Sequence, residues 1–138
     1  MGELTRELRE LLDSNKVGVV ATTAKTGRPR QSLVYYARDG EQLLISTLAE
    51  RYKARDVERT GWASLCVMGH ESPYPAATFY GPAEIVRAGI GPPTAAIVQR
   101  IADLPEPPPV QTDEALAAIG RVVLRITVDR VSAVNYLT

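Results

Sequence analysis

The chain is poor in the residues that build many sites. Its 138 residues include one cysteine, Cys66, and one histidine, His70. A single cysteine excludes an intramolecular disulfide framework and a multi-cysteine zinc site, and a single histidine excludes a His-rich metal centre. Positive charge is not in excess: 16 Lys+Arg balance 16 Asp+Glu, which argues against a surface built for nucleic acid. No apolar run approaches the roughly 20 residues that span a bilayer. The opening MGELTRELRELLDS is charged and amphipathic, unlike a signal peptide. There is no Ser-His-Asp set, no carboxylate dyad and no phosphate-cradling loop of the GxxxxGKS type. These absences leave a soluble cytoplasmic protein with a single domain over 1–138, without a membrane or nucleic-acid partner. A chain of this length buries roughly 68% of the surface its unfolded form exposes, enough for a real core.

What is present alternates. Leu4, Leu8, Leu11 and Leu12 recur at helical spacing and predict an amphipathic first helix ending near Asp13-Ser14-Asn15. Strands are predicted over 17–23, 31–37, 42–47, 63–68, 76–86 and 122–128, with a final extended piece over 131–137. Asp39-Gly40 is a hairpin signal. Pro82 inside the 76–86 strand predicts an edge position or a bulge. A short helix is predicted over 48–59, stopped by Gly61. Residues 88–120 read as a helical and Pro-rich insertion: a helix from Pro92 to about Ala102, four prolines between Leu104 and Val110, and a short helix capped by Thr112 and stopped by Gly120. About six strands joined by short turns predict a mainly β fold, a small closed antiparallel barrel with few helices.

The chain has three lysines against thirteen arginines, and arginine binds carboxylate and phosphate in a forked way that lysine cannot. Four cations, Arg51, Lys53, Arg55 and Arg59, fall within nine residues where a strand ending in Ser46-Thr47 runs into a helix. A helix N-terminus presents unpaired backbone N–H groups and a positive dipole end. In a neutral protein this points to a phosphorylated small molecule. The alternative is a solvated helix of mixed charge, with Glu50, Asp56 and Glu58 offsetting the cations. Arg28 and Arg30 add to the same field. Cys66, inside an apolar strand, reads as a small buried hydrophobe, His70 as a loop surface residue and Trp62 as a packing anchor. Tyr35 and Tyr36, as strand neighbours, face opposite ways.

Strand two (Gly27 to Tyr36), the Asp-Gly turn, Arg51-x-Lys53-Ala54-x-Asp56, Ala63 to Val67 and Phe79-Tyr80-Gly81-Pro82-Ala83-Glu84 occur in an order that resembles the pyridoxamine-phosphate-oxidase-like, FMN-binding split-barrel superfamily. The likeness runs from about Leu8 to Leu137 and is nearest to the branch that uses the deazaflavin coenzyme F-420. It implies a six-stranded antiparallel split β-barrel of Greek-key type, present as a homodimer with the cofactor in a groove between subunits. By position, Ser32, Val34 and Tyr35 match residues lining the isoalloxazine. Ser46 and Thr47 match residues near the ribityl chain or phosphate, and Arg51 and Lys53 match those that meet phosphate. The implied activity is hydride transfer between F-420 and a small conjugated substrate, with no residue assigned as catalytic, because the cofactor carries the reactive atom. An FMN-dependent oxidase or reductase is the alternative, and a flavin or haem carrier, with His70 as axial ligand, is the third. Tyr52 and Ser32 stand where true pyridoxamine-phosphate oxidases carry arginines. The Asn135 to Thr138 end lacks their Trp- and Arg-rich segment, so vitamin B6 oxidation is not expected.

Overall fold

The computed structural model describes residues 4–134. Helix α1 (Arg6–Ser14) opens with the Thr5 hydroxyl accepting from the Leu8 N–H at 3.2 Å, and it buries Leu8, Leu11 and Leu12. Strands β1 (Val17–Thr23) and β2 (Pro29–Tyr35) form a hairpin, followed by β3 (Ala37–Asp39) and β4 (Gln42–Leu48). Helix α2 (Tyr52–Thr60) leads to β5 (Trp62–Met68) and the 11-residue β6 (Ala76–Val86). Helices α3 (Gly91–Ala102) and α4 (Asp113–Ala118) precede β7 (Arg121–Thr127) and β8 (Arg130–Val134). Pairing is antiparallel in the order β2-β1-β5-β6-β7-β4-β3, with β8 on β6.

The fold is mainly β as expected, but the strand count and the closure differ. Among the described residues there are eight strands: six long ones near the expected positions and two short ones, β3 and β8. Asp39, read as part of a turn, ends β3, which pairs Ala37 to Asp39 with Leu44 to Gln42 of β4 and leaves only Gly40 and Glu41 in the turn. Among the described residues the path ends at β2 and β3 with no ladder joining them, so the sheet curls into a half-barrel. The expected final strand to 137 is described only to Val134, and the Asn135 to Thr138 end lies outside the described residues.

Pro82 is not on an edge strand. β6 is central, pairing with β5 from Ala76 to Pro82, with β8 up to Tyr80 and with β7 from Ala83. Gly81-Pro82 is where β6 exchanges β8 for β7, so the lost proline N–H falls between two ladders. Gly81 is required there: a Cβ would stand 2.1 Å from the Thr127 carbonyl oxygen. Tyr36, Leu43, Ile45, Leu65, Phe79 and Leu124 fill the interior, each essentially without exposure. The Tyr36 hydroxyl donates to the Leu12 carbonyl at 2.6 Å, and burial pushes its pKa upward. A filled interior leaves no space for a tricyclic ligand, so a ligand must lie outside. No helix among the described residues is long and apolar enough to cross a membrane.

Candidate functional site

β4 stops at Leu48, and the Arg51 N–H donates back to its carbonyl at 3.0 Å. Helix α2 therefore begins at Tyr52, four residues later than the sequence suggested, with Arg51 as an extended N-cap whose side chain caps nothing. Its first turn contains no acid, so the orphan N–H groups and the dipole end are uncompensated. Arg51 lies outside the helix, as its N-cap. Among the described residues no carboxylate lies within 4 Å of Arg51 or Lys53. Burial first, and Arg51 second, hold the Lys53 ammonium below the ordinary lysine pKa.

Six of the seven site residues expected from sequence line one cavity of about 500 Å³ on the outside of the half-barrel: Val34, Tyr35, Ser46, Thr47, Arg51 and Lys53. Ser32 does not. It lines a neighbouring cavity of about 180 Å³ with Thr22, Arg30 and Tyr52. Arg51 and Lys53 border both, so the two spaces meet at the start of α2.

The opposite wall was not foreseen. α3 turns Thr94, Ile97, Val98 and Ile101 toward the larger cavity, and Leu116 and Ile119 follow from α4 and its end. The spacing i, i+3, i+4, i+7 was legible as one helical face. What that face meets was not. Ile97, Ile90 and Leu116 pack on Leu44 and Val123, so α3 lies across the outer face of β4 and β7. On either side of it β7 presents an arginine. Arg121, paired in register with Leu48, lines the larger cavity. Arg125, paired with Leu44, lines a second one of about 440 Å³ and binds Glu84 at 3.0 Å.

Two arginines of that positive field, Arg30 and Arg59, have another role. Asp56 is 1% exposed and accepts from the Thr22 hydroxyl at 2.9 Å and from Arg59 Nη1 at 3.1 Å. Arg59 Nη2 also donates to the Thr23 carbonyl. Arg30 Nε lies 3.1 Å from Asp56 Oδ2, an ion-pair distance without hydrogen-bond alignment, and its guanidinium stacks 4.2 Å from the Tyr52 ring. Asp56 thus ties α2 to β1 and β2, as a buried charge requires. Lys25 and Arg55 remain without carboxylate partners among the described residues. They line a space of about 290 Å³ that shares Arg30 and Tyr52 with the small cavity beside Ser32.

Cys66 is exposed, not buried. It lies on the outer face of β5, whose alternation turns Ala63, Leu65 and Val67 inward and Trp62, Cys66 and Met68 outward. With Leu33 and Tyr35 of β2 and Val17 of β1 they form an exposed apolar sheet face, Leu33 being 74% and Met68 60% exposed. Tyr35 and Tyr36 do point oppositely, one to the cavity and one to the core. His70 is exposed and contacts Asn15 at 3.2 Å. The 69–75 loop lines a groove beside α1, away from the residues above.

Solved structures of similar fold are known. A conserved hypothetical protein of Mycobacterium tuberculosis is 22% identical with a TM-score of 0.75, covering 94% of this chain and 84% of its own. An F-420 reductase is 22% identical with a TM-score of 0.74, covering 94% and 98%. An FAD-binding protein of Mesorhizobium loti is 24% identical with a TM-score of 0.69, covering 94% of each chain. At these identities the likeness shows the fold alone. No curated protein sequence matches the chain. The family model described as pyridoxamine 5'-phosphate oxidase matches residues 4–135, nearly the whole sequence, and by that match the chain belongs to the pyridoxamine 5'-phosphate oxidase-like family.

Proposed function

We propose that the protein is an oxidoreductase that moves a hydride between deazaflavin coenzyme F-420 and a small conjugated substrate. One observation carries the choice of cofactor. The cations do not end at the start of α2: Arg51 and Lys53 border the small cavity, and across the Arg30–Tyr52 stack lie Lys25 and Arg55. FMN ends in one phosphate and needs only the first pair. A deazaflavin with a phosphodiester and an acidic tail uses the whole track.

The residues present fit such a group. The larger cavity offers Ser46, the cations Arg51 and Lys53 and no carboxylate, beside apolar walls sized for a planar ring. The cofactor, when bound, supplies the hydride chemistry. Lys53 and the α2 N–H groups hold its phosphate, Val34 and Tyr35 flank its ring, and the α3 wall keeps water from one side.

A second copy of this chain completes the site in this reading. The exposed apolar face of β1, β2 and β5 runs into the cavity wall at Leu33 and Tyr35, so a partner seated there also covers the groove. Sedimentation should give a dimer that Met68→Glu weakens. A stable monomer with full cofactor affinity would overturn this part.

Titrations of F-420 and FMN, followed by absorbance and fluorescence, test the whole. Tight F-420 and weak FMN binding supports it. Preference for FMN selects the flavin oxidase or reductase reading instead, and binding of neither removes both.

A further inference from the structure

We propose that Arg121, with Thr94 from the 88–120 segment, forms a subsite for the carboxylate of an otherwise apolar, conjugated substrate. The inference rests on the proposed function only in placing a cofactor at the other cationic end of the same cavity.

Three observations carry it. Arg121 is half-buried at the first position of β7 and lines the 500 Å³ cavity. Among the described residues its side chain makes no ion pair and no hydrogen bond, and no Asp or Glu lines that cavity. The contrast with Arg125, four residues along the same strand face, is direct. Arg125 also borders a cavity beside α3, but Glu84 neutralises it at 3.0 Å. A guanidinium held against apolar walls without a counter-charge is suited to a forked contact with a carboxylate.

The second observation is Thr94. It is 9% exposed on the same wall, and its hydroxyl is buried with no hydrogen-bond partner. Such a group costs stability unless something satisfies it, and threonine in a helix has a second accessible χ1 rotamer. The third is the ledge beyond it. Val98, Ile101 and Ile119 line the cavity while being 39%, 40% and 60% exposed. Apolar side chains left open beside an unpaired cation describe a ligand with an apolar body and one anionic end.

The test uses the intact protein and thermal-shift or NMR titration with trans-cinnamate and with cinnamamide, which share a shape and differ in charge. The wild type should prefer the carboxylate, and Arg121→Gln should weaken cinnamate binding by about tenfold and leave cinnamamide unchanged. Arg121→Lys should keep part of the preference, which separates lost charge from a damaged fold. Thr94→Val should raise the Tm by about 3 °C while weakening cinnamate binding, a combination that a purely structural threonine does not give. Equal binding of the two probes by the wild type overturns the subsite, as does a preference that survives Arg121→Gln. If Arg121→Gln lowers F-420 or FMN affinity as much as Lys53→Ala does, Arg121 belongs to the cofactor and the subsite also fails. Failure of both cofactors to bind, with the Arg121-dependent cinnamate preference intact, removes the proposed function and leaves this inference standing.

Discussion

At the start of α2, Arg51 and Lys53 face a cavity with no carboxylate, whereas one turn later Arg30 and Arg59 converge on the buried Asp56. The same division recurs on β7, where Arg125 is paired with Glu84 and Arg121 with nothing among the described residues. A chain with balanced charge thus sorts its cations into two kinds. Some hold elements together, and their charge is already answered. Others stand at cavity walls with no carboxylate beside them, open to a ligand. Counting basic residues cannot separate these kinds, because Arg55 and Arg59 lie on the same short helix and differ only in what folds against them.

The sharpest way to break the contrast is Asp56→Ala. It leaves Thr22, Arg30 and Arg59 without their acceptor and should cost about 2–3 kcal/mol of stability, less than a fully buried pair because both arginines are partly solvated. Thermal denaturation checks this, and an unchanged Tm would show that Asp56 is no structural tie. Lys53→Ala should do the reverse. Cofactor affinity should fall by about 2 kcal/mol, roughly thirtyfold, with no loss of stability, as read by titration and melting of one preparation.

The depressed Lys53 pKa sharpens the comparison further. Burial disfavours the charged ammonium in the free protein, and a phosphate beside it favours that form. Phosphate-dependent affinity should therefore fall as pH rises through the lowered Lys53 pKa, earlier than for an exposed lysine. The sign for folding is opposite: the unfolded chain holds that proton more tightly, so this residue's contribution to stability rises with pH between its folded and unfolded values. A binding curve flat up to the ordinary lysine range would place the phosphate elsewhere. The smallest effect is expected at Glu84→Gln, which frees Arg125 at the solvent-exposed pair and should change stability by less than about 0.5 kcal/mol.

Much of the fold was legible because local rules and tertiary packing agree. Leucine periodicity gave α1, β-branched runs gave β1 and β7, and Gly61, with φ +69°, ends α2 where a glycine is needed. Most of the candidate site was legible for a related reason. It is built from a strand end and the next helix, which sequence places side by side. Of the edge or bulge that Pro82 predicted, the edge is absent and the register does slip by one residue, between Tyr80↔Arg130 and Ala83↔Ile126; that β6 changes partner strands there is a property of the sheet. Cys66 misled because an apolar strand with one exposed face reads like one buried on both. Asp56 was counted as one charge among several, since nothing local says that Thr22 and Arg30 arrive from another hairpin.

Sequence alone therefore determined the strand and helix periods, the stops at glycine and the cationic junction between Ser46 and Lys53. These depend on residues within a few positions of one another. Tertiary structure decided which arginines are neutralised, that α3 divides the outer face of β4 and β7 into two cavities, and that Arg121 opens onto one of them. Those outcomes depend on residues tens of positions apart, and only the packing of the closed chain brings their charges and apolar surfaces within reach of each other.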